Sequence, residues 1–366
     1  MATIDSPYEA VREKPLTAAA VGVALLFGLD LIRRLVLGGL AYSTVLTYVW
    51  EGSVLGLTVG LAGVGLSMTY SILGFANFAH GDYVTTGGFL GWGLTYVVVG
   101  YGAHDLGRLI LVGPGSEVYG AQIGVTVLNT TFAVFLGILF AGVATAGVSV
   151  LIDRFVYKPM RDKDSISLLI ASVGVSFALR YLIGFVYSTN NRGTTPIPES
   201  WKLGLTEGTV TVTSHQVALV AVSLVLMALV HLVLRYSKLG KAMRATSDNE
   251  DLARITGIPT ERVVRWTWIL GGGLAGAAGY LSVLESGSIS YQFGWLLILL
   301  IFAAVILGGI GSIYGAMAGG LVIGVSQQLS LVWLPSGDFT LPTAFLIMIL
   351  LLVLKPEGLF SGRSTA

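Results

Sequence analysis

The densest chemistry in this sequence lies in ten residues, Gly74-Phe75-Ala76-Asn77-Phe78-Ala79-His80-Gly81-Asp82-Tyr83. An amide, an imidazole and a carboxylate fall within six positions, set among aromatic and small residues and flanked by apolar runs. A charge at a bilayer centre costs about 2.5–3.5 kcal/mol on insertion scales. Irregular backbone at membrane depth is tolerated where it is buried in protein or lines a cavity. Two readings follow. In one, the segment is broken or re-entrant, and Asn77, His80, Gly81 and Asp82 line or gate a substrate pathway. In the other it is a cytoplasmic turn, with Asn77 or Asp82 capping the next helix.

Other ionisable groups inside apolar runs are Asp30, Arg180 and Glu285. Arg180 follows Ser172 and Ser176 at four-residue spacing, so the three share one helix face. That arginine either pairs inside the bundle or snorkels to the interface. Glu285, beside Ser286, Ser288 and Ser290, reads as interfacial; an ion-coupling role is the alternative. His104, His215 and His231 are scattered and suggest no metal site. No nucleophile–base pair is legible, so no catalytic residue and no cofactor are expected. Cysteine is absent, which excludes disulfides and thiolate chemistry. Gly240-Lys241 lacks the upstream glycine and the following Ser/Thr of a phosphate loop. Any ATP energy must therefore come from another chain.

These groups need elements to hold them, and the composition says what kind. The chain has 366 residues, 54% hydrophobic and only 11% charged, with mean hydropathy +0.81. Soluble domains carry about 25% charged residues. Segments 118–152 and 286–337 contain no charge, and each exceeds the ~20 residues that span a bilayer. A soluble enzyme is excluded. A net charge of +1 gives no basic field for nucleic acid. The 49 glycines are about twice the usual share and favour close helix packing. Gly271-Gly272-Gly273, with Gly276 and Gly279, reads as such a packing surface.

The expected fold is an all-α polytopic bundle of about ten spans, at 16–37, 44–73, 83–100, 124–152, 166–188, 214–235, 264–284, 293–308, 314–332 and 338–354. The run 44–73 is long and glycine-rich enough to suggest a broken or tilted element. Acids in the first fifteen residues argue against a cleaved signal, so the first run is read as a retained helix. Lys and Arg are concentrated in 153–165 and 235–265, which assigns both loops to the cytoplasm. The opposing loops 101–123 and 189–213 are poorer, the first with Arg108 alone. Counting outward puts both termini inside and leaves Arg33-Arg34 at an outer end, against the rule. Alternation over 209–213 suggests a hairpin strand. A weak echo links Ile72-Leu73-Gly74…Gly81 to Ile306-Leu307-Gly308…Gly315, as in transporters built from repeats; chance is the other reading.

The largest cytoplasmic loop, 236–263, is amphipathic. Ser247-Asp248-Asn249-Glu250 fits a capping box that would start a short helix through Leu252 and Ile255, ended by Gly257 and Pro259. A capped helix with an apolar face needs something to bury that face, and a partner protein's groove is the natural candidate. An ordinary solvated loop that sets topology is the plain alternative.

Three segments, LGFANFAHGDYVTTGGFLG (73–91), LGKAMRATSDNEDLARITGIPTERV (239–263) and ILGGIGSIYGAMAGGLVIG (306–324), resemble permease subunits of branched-chain amino acid ABC importers, the LivH-type family. The likeness runs over roughly 45–356. It implies a permease domain at 44–356 in the plasma membrane; the span count leaves a cytoplasmic tail and extra helix at 1–43 and a cytoplasmic tail at 357–366. It also implies a second permease subunit, two ATP-binding cassette ATPase subunits and an extracytoplasmic binding protein. The family's coupling loop falls on Ala242, Arg244, Ala245, Asp248, Asp251, Leu252 and Gly257, which would touch the ATPase. The first 43 residues, with an extra helix, have no counterpart in the resemblance. Urea and short-amide importers have similar permeases. An ion-coupled secondary transporter and a passive channel are alternatives from other classes.

Overall fold

Backbone groups surrounded by lipid must satisfy one another, and helices do this within a single segment. The computed structural model follows that rule. It describes residues 15–110, 120–205, 207–355 and 358–360. The N-terminal tail, the last six residues and the side chain of Arg108 lie outside the described residues.

Twelve helices of six or more residues form, in order: α1 Pro15–Val36, α2 Tyr42–Leu73, α3 His80–Gly100, α4 Thr131–Ile152, α5 Ser165–Tyr187, α6 Ser214–Tyr236, α7 Lys238–Asp248, α8 Glu250–Ile255, α9 Thr260–Ser286, α10 Phe293–Gly308, α11 Ile313–Leu329 and α12 Thr340–Leu354. Every expected apolar run corresponds to one of them, and α7 and α8 occupy the large loop. Seven stretches among the described residues are long and apolar enough to cross a membrane, those built on α2, α4, α5, α6, α9, α11 and α12. Several boundaries differ from expectation. The run from 124 becomes helical only at Thr131, the third helix begins at His80, three residues early, and α9 begins at Thr260, four residues early. The expectation of a broken element within 44–73 is corrected. α2 is one continuous helix of 32 residues, ~48 Å at 1.5 Å per residue, and the break comes after it. Gly74 ends it in the left-handed region (φ 68°), its N–H donating to Tyr70 O.

α9 is the central post, and its glycines set the spacing. Gly271 lies against Gly65 of α2, and Gly272 against Ser149 of α4. Gly276 faces Ala141 and Thr145 of α4 and Gly87 of α3, while Gly279 abuts Val84 of α3. α2 and α11 form a second close seam, with Gly52, Gly56 and Gly60 opposite Gly324, Gly320 and Met317. The two halves of the glycine echo sit at equivalent places. Each marks the end of one helix, a break and the start of the next: α2 to α3, and α10 to α11. At the second break, Leu359 and Phe360 N–H groups donate to Leu307 and Gly308 carbonyls, covering carbonyls that α10 leaves open.

The expected hairpin forms from β2 (Ser200–Leu205) and β3 (Gly208–Thr213), which follow a two-residue strand, β1 (Arg192–Gly193). β1 pairs with β4 (Ser288–Ile289) just beyond α9. Nearby, Glu199 accepts hydrogen bonds from Thr126, Asn129 and Ser214. Hydrogen bonding, from its own backbone N–H first and then from Thr126 and Ser214, holds its carboxyl below the usual glutamate range. The Arg33-Arg34 anomaly has a local answer. Asp30 takes both guanidinium groups at 2.7 Å and also accepts from Trp333 Nε1 at 2.9 Å, which ties α1 to the segment after α11.

Gly276→Val places a branched side chain where even a Cβ would collide with Ala141 O and Thr145. Overpacking of this kind costs about 1–3 kcal/mol. The variant is expected to show a lower thermal midpoint in detergent and less protein in the membrane, with Gly147→Ala, which faces open space, as the unaffected control.

Candidate functional site

Six residues, 74–79, separate α2 from α3, and they fold back along α2 instead of leaving the bundle. His80 Nε2 lies 2.8 Å from the carbonyl oxygen of Ala62, about eleven residues before α2 ends. That is ~16 Å of helix. A carbonyl can only accept, so Nε2 carries the proton. The expected break is therefore re-entrant, and α3 starts inside the bundle.

A non-helical segment there must find partners for its backbone. Asn77 supplies one: its Oδ1 accepts from Ala79 N–H at 3.1 Å and from the Tyr157 hydroxyl at 3.1 Å. Ser172 of α5 supplies another by accepting from Phe78 N–H at 3.0 Å. The next two members of the same α5 face reach Asp82. Ser176 Oγ donates to Asp82 Oδ2 at 2.5 Å, and Arg180 lies 3.1 Å from the same oxygen. Arg180 Nε also donates to Oδ1 at 3.3 Å. The guanidinium stacks 4.0 Å over Trp295 at the start of α10. Asp82 is 0% and Arg180 5% exposed, so this is a buried ion pair and the snorkelling alternative is set aside. Asp82 also sits in the first turn of α3, where the helix dipole favours a negative charge. Gly81 brings α3 against α10: a Cβ there would meet Gly294 O and Ile298.

Asn77, His80, Gly81 and Asp82 are thus gathered in one place, all buried and all turned into protein. Glu285 stands exposed at the last turn of α9. Sequence reasoning missed Tyr157, Trp268 and Trp295. Tyr157 lies in a π-helical turn, Asp153–Tyr157, that extends α4 and aims the ring inward. It stacks on Trp268 with centroids 5.1 Å apart and planes 4° from parallel. Below that turn, Arg161 binds Asp153 at 2.7 Å and Glu261 at 2.6 Å, and Lys158 binds Glu261 at 2.9 Å. These pairs join the two basic segments, so both lie on the same side of the bundle.

The second group of expected residues lies on α7 and α8. Arg244 Nη1 donates to Leu234 O at the end of α6, at 2.8 Å. Ala242 and Ala245 are half-buried, while Asp248, Asp251, Leu252 and Gly257 are exposed. The capping box is corrected. Ser247 belongs to the last turn of α7, and Asn249 caps α8, accepting from Leu252 N–H at 2.9 Å. Ser247 instead bonds the end of α2, donating to Ser71 O at 3.0 Å with its hydroxyl 2.6 Å from that of Ser71. Gly257 (φ 86°) ends the unit as expected. The apolar face divides. Met243 is buried, whereas Leu252 and Ile255 stand 55% and 81% exposed on α8.

Tyr157→Phe removes one of the two bonds to Asn77 Oδ1, an expected loss of about 1 kcal/mol. Asn77→Ala strands both donors and should lower the thermal midpoint of the purified protein further. Equal midpoints for the two variants would contradict this account of the break.

Known proteins match this arrangement along most of the chain. The family described as branched-chain amino acid transport system / permease component matches residues 48–354. The high-affinity branched-chain amino acid transport system permease protein LivH of Salmonella typhimurium is 29% identical over 323 residues, 87% of this chain and 96% of that protein. Escherichia coli LivH gives the same figures, 29% identity with 87% and 96% coverage. BraD of Pseudomonas aeruginosa, also named a high-affinity branched-chain amino acid permease protein, is 27% identical over 86% of this chain and 94% of its own length. The match takes in the re-entrant break and the α7–α8 loop and leaves α1 outside it. This multi-pass membrane chain belongs to the permease family of the branched-chain amino acid transport systems.

Proposed function

We propose that the chain is one permease of an ATP-driven importer for branched-chain, hydrophobic amino acids. A second permease subunit pairs with it, two ATPase subunits dock on the side of the basic loops, and an extracytoplasmic binding protein delivers cargo. The basic loops and both termini face the cytoplasm. The names carried by the relatives favour amino acids over urea or short amides.

The observation that carries this reading is α8. Two large apolar side chains, Leu252 and Ile255, stand in the open on a helix that is itself capped and anchored. A folded element with an unburied apolar tip suits a partner's groove. Its base is tied to the bundle through Arg244 to α6 and through Ser247 to the end of α2. Closure of the ATPase pair pushes α8, α7 passes the displacement to Ser71, and the end of α2 shifts the break that holds Asn77, His80, Gly81 and Asp82. The path beside that break then opens between the two permeases. Asp82 is committed to Arg180 and Ser176, which leaves it poorly suited to bind a coupling ion.

Two measurements test this. Affinity capture of the chain from its own membranes should bring down two ATPase subunits and a second permease; recovery of the chain alone contradicts the proposal. Leu252→Arg or Asp251→Lys should leave insertion intact and cut uptake at least ~10-fold, since losing one hot-spot contact costs about 2 kcal/mol or more. Normal uptake by both variants would remove α8 from the coupling role.

A further inference from the structure

Helix α5 is attached to the bundle in an unusual way. Its buried residues are Leu168, Ser172, Ser176, Arg180, Ile183 and Gly184, so the middle of its inward face is polar. Leu168 and Ile183 flank that polar middle, while Ile166, Ile170, Phe177, Tyr181, Leu182 and Phe185 are exposed. What Ser172, Ser176 and Arg180 hold is the re-entrant break: Phe78 N–H at one end and Asp82 at the other. In lipid there is no hydrophobic force pressing one apolar helix on another, so polar contacts weigh heavily in which helices associate.

We infer that Arg180 is a positioning residue for transport, a membrane-buried latch that fixes the first turn of α3 between α5 and α10 through Asp82 and Trp295. This rests on the importer reading and adds a residue that no expectation for the site included. Three features argue that the guanidinium does more than neutralise Asp82. Both of its faces of contact are used: Nε and Nη2 reach the two carboxylate oxygens, and the plane lies over Trp295. Nη2 also donates to Ser176 Oγ at 2.8 Å, so the serine is held between acid and base. Trp295 adjoins Gly294, whose N–H donates to Thr85 Oγ1 of α3 at 2.9 Å. The pair therefore connects α3, α5 and α10 at the point where α3 begins. A lysine carries the same charge but has neither the planar fork nor the stacking face.

The test uses the complete importer in proteoliposomes, with wild-type uptake established first, so that failure of the importer reading shows in the wild type and not in the variants. Asp82→Asn and Arg180→Gln alone each strand a buried partner and should lower the amount of assembled complex at least ~10-fold. The double variant Asp82→Asn/Arg180→Gln removes both charges and should assemble at close to the wild-type level, yet transport at least ~10-fold more slowly because the latch is gone. Arg180→Lys should assemble normally, with maximal uptake several-fold lower and the half-saturating concentration of loaded binding protein unchanged. Wild-type uptake by the double variant or by Arg180→Lys overturns the inference, leaving the pair a means of burying two charges. If the double variant does not assemble, the lysine variant decides alone.

Discussion

An ionised carboxylate surrounded by hydrocarbon must find a cation or give up its charge. Asp82 meets that constraint with Arg180, and much of the architecture around the break follows from it. The pair brings α5 onto the bundle through a polar face, sets Ser176 between the two charges and draws the start of α10 close through Trp295. The helix dipole at the start of α3 adds to the stabilisation of the anion. Breaking a buried pair by removing one partner is far more damaging than replacing both, which is why neither residue can be understood without the other.

The break itself depends on small residues elsewhere. α3 can begin deep in the bundle because Gly81, Gly87 and Gly65 let α10, α9 and His80 approach their backbones. Each close approach trades side-chain volume for dispersion contact, the main attraction between helices where lipid is as apolar as their surfaces. The result has a glycine-packed centre, α9, and a non-helical break at 74–79 held by the hydrogen bonds of Asn77 and Ser172 and by the aromatic contacts of Phe75 and Phe78. Tyr157 links this break to the turn that holds the Arg161–Asp153 pair, and Ser71, in the last turn of α2 just before the break, bonds the α7–α8 loop. The two basic segments thus reach the break and the helix end that leads into it.

Much of this was legible in the sequence, for physical reasons. Long apolar runs with few charges gave the helices, and a cluster of polar residues between two such runs gave the break. The four-residue spacing of Ser172, Ser176 and Arg180 gave a common face, but their partners, Phe78 N–H for the first and Asp82 for the other two, are about a hundred positions away, and no local pattern reports a long-range pair. Tyr157 was hidden because 153–165 reads as a basic loop, whereas the chain continues α4 through a π-helical turn that buries the ring. The cap of α8 was misplaced by two residues: Ser247 matched the capping motif, but its hydroxyl is used by Ser71, and Asn249 takes the role. Arg33 and Arg34 broke the charge rule because Asp30, one turn earlier, answers both.

The central claim is that this chain forms a passage that opens only when a separate nucleotide-hydrolysing subunit drives it. Uptake of radiolabelled leucine into proteoliposomes tests it most directly, comparing this chain alone, the full set of subunits with ATP, and the full set with a non-hydrolysable analogue. The account predicts accumulation against a gradient in the second case alone. Equal leucine entry through the isolated chain, without hydrolysis, would contradict it.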